Sequence, residues 1–101
     1  MSMTVLLEVQ LRDDLPTETI EAAIRETLAQ TAAFAGSESL EVLVDDADPT
    51  RVVVLERWTT SDDHDAYVAW RGTPEGAANA LAAIVAAPPV TRTFDRTIAL
   101  P

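Results

Sequence analysis

The sequence predicts a single α+β domain of the ferredoxin-like type, with an antiparallel four-stranded sheet and the order strand, helix, strand, strand, helix, strand. Three observations carry that expectation. Apolar residues alternate over Thr4–Leu11, take helical spacing from Thr17 to about Phe34, and then return to strand-like runs. A short acidic loop, Asp45 to Pro49, separates two such runs and reads as a hairpin turn. The 101 residues, 48% of them hydrophobic, suit one domain with one modest core.

In Thr4–Leu11, Val5, Leu7, Val9 and Leu11 point one way, and Thr4, Leu6, Glu8 and Gln10 the other. Asp13, Asp14 and Pro16 stop this strand. Ile20, Ala23, Ile24, Leu28 and Ala32 then form a helical stripe, with Glu18, Glu21, Arg25 and Glu26 on the wet side. Thr17 suits the N-cap of this helix, and Gly36 and Ser37 end it. Leu40–Val44 is a short strand. Arg51–Thr60 is the next, with Val53, Leu55 and Arg57 on one face and Val54, Glu56 and Trp58 on the other. Ser61 suits the cap of a second helix that runs to about Trp70 and stops at Gly72. Thr73 and Pro74 restart it as a third helix with the stripe Ala77, Leu81, Ile84 and Val85, ended by Pro88 and Pro89. Val90–Leu100 reads as a last strand in which Arg92, Phe94, Arg96 and Ile98 alternate.

Helices can cover only one face of such a sheet, yet the strands carry apolar residues on both. A bare second face would be an exposed hydrophobic patch, so the sequence predicts a homodimer that buries it. The charge balance, 7 Lys and Arg against 17 Asp and Glu for a net −10, repels phosphate backbones and anionic lipid, which argues against nucleic acid and membrane partners. Cysteine is absent, which removes disulfides and thiolate metal sites and makes a reducing cytoplasm the expected compartment. No apolar stretch approaches the ~20 residues of a membrane helix.

The chemistry concentrates between Trp58 and Arg71, which hold the only histidine, both tryptophans and the only tyrosine. On a helix, His64, Tyr67, Val68 and Arg71 fall within about 100° of one another, with Trp70 on the next row. An imidazole that takes a proton, a guanidinium that stabilises an oxyanion, and a phenol and an indole that stack would wall a site for a flat, oxygen-bearing aromatic. The competing reading makes His64 a helix-start residue in a surface ion pair with Asp62, Asp63 or Asp65, and makes Tyr67 and Trp70 core. Glu56 shares a strand face with Trp58, as a carboxylate near the same pocket or as the partner of Arg92 or Arg96. Phe94 lies where it can line the pocket or the subunit contact, while Asn79 should face water. One histidine with scattered carboxylates is too few ligands for zinc or non-haem iron, and neither a phosphate loop nor a nucleophile elbow is present.

The stretch VLERWTTSDDHDAYVAW resembles the core pattern of the antibiotic biosynthesis monooxygenase domain, in which an E-x-W strand end leads through a polar turn into a helix. TRTFDRTI resembles that family's last strand, and the element order fits over nearly the whole chain. The resemblance implies a dimeric α+β barrel that oxidises quinols or phenolic polyketides to quinones with dioxygen, using no flavin, haem or metal. Its tasks fall here to His64, Tyr67, Trp70 and Arg71; together with the strand-face reading, His64, Tyr67 and Arg71 are the candidate catalytic residues and Trp70, Trp58, Glu56 and Phe94 the candidate substrate-binding ones. Where the family often has its helix histidine this chain has Tyr67, with His64 three residues earlier. A related haem-degrading branch carries an Asn on the first strand and a His about ten residues after a Trp. Here TVLLEVQL has no Asn and the tenth residue after Trp70 is Ala80, so haem degradation is not expected. Two further readings stay open on the same scaffold: a dimeric barrel that only binds a small ligand, and a cyclase or isomerase.

Overall fold

Alternation makes the first strand, β1 (Met3–Gln10), and alternation decides which of its faces is buried. The computed structural model describes residues 2–101. After β1 come α1 (Thr17–Ala33), β2 (Ser37–Val44), β3 (Arg51–Trp58), α2 (Ser61–Arg71), the one-turn α3 (Asn79–Ala82) and β4 (Val90–Phe94). The strands form one antiparallel sheet in the order β2-β3-β1-β4, so the fold is ferredoxin-like α+β as expected.

Register sorts the side chains. Met3 opposes Trp58, Val5 opposes Glu56, Leu7 opposes Val54 and Val9 opposes Val52, and these residues face the helices. On β4, Thr91 and Thr93 oppose Leu7 and Val5 and share that face, whereas Val90, Arg92 and Phe94 oppose Glu8, Leu6 and Thr4 on the outer face. The covered side holds two apolar clusters. At one end Val9, Leu11, Val52 and Ile84 pack under Ile20, Ile24 and Leu81. At the other, Met3, Val5 and Trp58 pack under Phe34 and Tyr67. Trp58 is 0% exposed and Ile84 2%, and full burial of an Ile side chain contributes about 1.5–3 kcal/mol.

Several expected boundaries move. The last strand ends at Phe94 rather than Leu100, because Phe94 already opposes Thr4 and β1 offers one residue more; Asp95–Pro101 follow without regular structure. The third helix shrinks to Asn79–Ala82. Thr73 does not cap it: its hydroxyl donates to the Trp70 carbonyl at 2.6 Å and accepts from Gly76 N–H at 3.1 Å, which closes a turn. Backbone pairing holds Ile84 in its cluster instead, with Arg12 N–H donating to its carbonyl and Ala86 N–H to that of Gln10. In α1, Pro16 occupies the cap position and Thr17 is already helical; Ala32 is exposed, and Thr27 and Thr31 fill the buried stripe. In α2 the cap is Thr60, whose hydroxyl accepts from Asp63 N–H at 3.1 Å, and not Ser61. β2 begins at Ser37, ahead of the expected Leu40, with an irregular register between Ser37 and Ser39; β3 stops at Trp58.

Candidate active site

Between the two clusters, under α1 and α2, the sheet floors a partly open cavity of about 240 Å³. Its floor is Val5, Leu7 and Val9 of β1 with Val52 and Val54 of β3, its roof is Ile24 and Leu28 of α1, and Leu81 and Pro89 close one side. The polar groups in this apolar lining are Glu56, Thr27, Thr31, His64, Tyr67, Arg71 and Thr91. Helical spacing therefore puts His64, Tyr67, Val68 and Arg71 on one cavity wall, and strand alternation brings Glu56 to it.

His64 is 6% exposed, so it is not a surface ion-pair partner of the flanking aspartates. Its ring packs edge-on against Trp58 at 5.5 Å, and among the described residues no hydrogen bond reaches its ring nitrogens. Glu56 is 5% exposed and pairs with neither Arg92 nor Arg96. Its Oε1 accepts from Trp58 Nε1–H at 2.8 Å. Burial holds the Glu56 carboxyl above the usual carboxylate range, against the opposing pull of the Trp58 donor and, farther off, of His64 and Arg71.

Arg71 spends all five of its N–H groups inside the chain. Nε donates to the Tyr67 hydroxyl at 2.7 Å, Nη1 to Gln30 Oε1 and the Gly76 carbonyl, and Nη2 to the Thr27 carbonyl and Thr31 Oγ1. Thr31 Oγ1 donates in turn to the Thr27 carbonyl at 3.3 Å and lies 2.8 Å from the Tyr67 oxygen. Tyr67 accepts from Arg71, and in its bond with Thr31 either hydroxyl can be the donor. The guanidinium also lies 4.9 Å from the Trp70 ring centre.

A model of the antibiotic biosynthesis monooxygenase family matches residues 2–85. The chain belongs to that family. Among solved structures it is similar to SnoaB, a cofactor-independent oxygenase from Streptomyces nogalater, with 19% identity over 99% of this chain and 97% of that one and a TM-score of 0.79. A conserved protein from Methanosarcina mazei matches at 11% identity, 96% and 94% coverage and a TM-score of 0.78. A dimeric protein of ferredoxin-like fold from Bacteroides fragilis matches at 17% identity, 94% and 96% coverage and a TM-score of 0.65. At such identities the likeness concerns the fold. No curated protein matches the sequence.

Within this monooxygenase-family domain, three of the expected binding residues stand apart from the cavity lining. Trp58 lies beneath it as the donor to Glu56, Trp70 packs outside on Phe34 at 5.4 Å, and Phe94 is 40% exposed on the opposite sheet face. Sequence reasoning missed Thr27 and Thr31. The signal was the spacing Ile20, Ile24, Thr27, Thr31, which continues the buried stripe with hydroxyls in place of apolar groups. Asn79 is exposed as expected. Among the described residues no three His, Cys, Asp or Glu side chains gather as a metal site, and no helix is long and apolar enough to cross a membrane.

Proposed function

We propose that this family member is a cofactor-independent monooxygenase of the cytoplasm that oxidises a quinol or phenolic aromatic with dioxygen and works as a homodimer. The observation that carries the reading is the partly open, mostly apolar cavity on whose wall Glu56, His64 and Tyr67 converge. A phenol with a free para position balances the reaction: phenol plus dioxygen gives para-quinone plus water. His64 accepts the phenol proton, the electron-rich ring supplies all four electrons, one oxygen atom replaces hydrogen at the para carbon, and the other leaves as water with the proton returned by His64 and the proton from the broken para C–H bond. The Arg71 charge stabilises the phenolate through its field, since its N–H groups are already committed. The apolar walls keep water from the reactive anion.

Dimerisation would bury the outer sheet face, where Leu43, Val90 and Phe94 are exposed beside Leu6, Val53 and Leu55. The dimeric state of the Bacteroides fragilis protein supports it.

The test is oxygen uptake with a panel of mono- and dihydroxy-aromatics. His64→Ala should lower the rate about 10²–10⁴-fold if the imidazole is the base. No uptake by the wild type with any of them removes the oxygenase reading, and an unchanged rate in His64→Ala removes the role of His64.

A further inference from the structure

The charges around the cavity limit what can enter it. We propose that the cavity selects an uncharged phenol of one or two rings, and that Glu56 is the residue that turns away carboxylated analogues of the same shape; the inference rests on the phenol-oxidising reading above.

Size comes first. A dry cavity of about 150 Å³ holds benzene. The present cavity, about 240 Å³ and lined by Val, Ile and Leu side chains together with polar groups, has room within its walls for one further ring and little more.

Charge comes second. A neutral phenol that hands its proton to His64 creates a phenolate and an imidazolium together, so the net charge of the site stays constant. A carboxylate brings an extra negative charge into a mostly apolar cavity of a chain that already carries −10. The cation that could receive it is Arg71, and all five of its N–H groups are bonded to Tyr67, Gln30, Gly76, Thr27 and Thr31. Glu56 lines the cavity: Trp58 satisfies Oε1, and among the described residues no donor reaches the second oxygen. Burial already holds that carboxyl above its usual range, so a second carboxylate meets it either as a like charge or only by taking up a proton.

The experiment is anaerobic calorimetric titration of the full chain with 4-hydroxybenzamide and 4-hydroxybenzoate, which share a shape and differ in charge. The amide should bind at least about tenfold more tightly. Glu56→Gln should shrink that ratio to about threefold or less, by tightening the benzoate rather than weakening the amide. 2-Naphthol should bind, and the four-ring 1-hydroxypyrene should not. Benzoate binding as tightly as the amide, an unchanged ratio in a folded Glu56→Gln, hydroxypyrene binding like naphthol, or no binding of any neutral phenol each overturns the proposal. If Glu56→Gln does not fold, Glu56→Leu serves for the same comparison. Because binding is read without oxygen, phenols that bind with this preference yet consume no dioxygen would remove the oxygenase chemistry and leave the selectivity standing.

Discussion

Arg71 Nε–H donates to the Tyr67 hydroxyl at 2.7 Å, and the same oxygen shares a second hydrogen bond with Thr31 Oγ1 at 2.8 Å. Thr31 lies on the other helix, so one residue pair one turn apart on α2 ties α2 to α1 above the cavity.

That geometry makes Arg71 a positioning residue as much as a charge. A lysine keeps the charge but cannot span Tyr67, Thr27, Thr31, Gln30 and Gly76 with a fork. Arg71→Lys should therefore lose about 1–3 kcal/mol of stability in urea unfolding, close to the loss in Arg71→Met. If the lysine variant is as stable as the wild type, the clamp is not what holds the two helices.

The buried carboxyl of Glu56 gives a pH signature. Its folded-state pKa is raised by burial, so the native state holds the proton more tightly than the unfolded chain does. The sign follows: the penalty is absent below the unfolded-state carboxylate pKa, and it grows as pH rises from there through the folded-state value. Compared with Glu56→Gln, the wild type should lose ground over that interval and then hold a constant difference. The exposed Asp14 and Asp48, whose pKa values are lowered by Arg12 and Thr50, act at lower pH and are common to both proteins. Thermal melts from pH 3 to 8 check this, and a difference that is flat with pH would mean that Glu56 is solvated in the folded protein.

Much of the fold was legible because burial here follows simple periods. Val5, Leu7 and Val9 announce one face of β1, and Val52, Val54, Glu56 and Trp58 announce the matching face of β3. His64, Tyr67, Val68 and Arg71 were readable as one wall for the same reason. What escaped depends on partners distant in sequence. Whether Thr60 or Ser61 caps α2 is decided by the extended backbone at Thr60, and both residue types suit the cap. The length of β4 is set by where β1 begins, and Phe94 alternates as a strand residue would on either face. Thr27 and Thr31 were hidden because a threonine in a helix reads as a weak surface residue until Tyr67 and Arg71 are laid across it.

The outer sheet face makes a prediction about assembly. With Leu43, Val90 and Phe94 exposed around Leu6 and Leu55, the chain should sediment at twice its 10.9 kDa. Leu55→Lys, at the middle of β3, should give a monomer whose far-UV circular dichroism is unchanged, since the side chain points away from both internal clusters. A wild type that sediments as a 10.9 kDa monomer at micromolar concentration would remove the dimer.

A second constraint lies at the other end of α2. Gly36 has φ 92°, and a Cβ placed there would run into Cβ and Cγ of Asp63 in the first turn of the helix. The same glycine offers its carbonyl to Thr59 N–H at 2.9 Å, so the start of β2, the end of β3 and the N-terminus of α2 meet at a point that admits no side chain. Gly36→Ala should cost about 1–3 kcal/mol from the left-handed backbone alone, with the Asp63 clash added to it. Asp63→Gly in the same chain should recover the clash and leave the backbone part, so the double variant should be more stable than the sum of the two single losses predicts. Strict additivity in urea unfolding would mean that β2 and α2 separate to make room, and the His64 wall of the cavity would then shift with the helix.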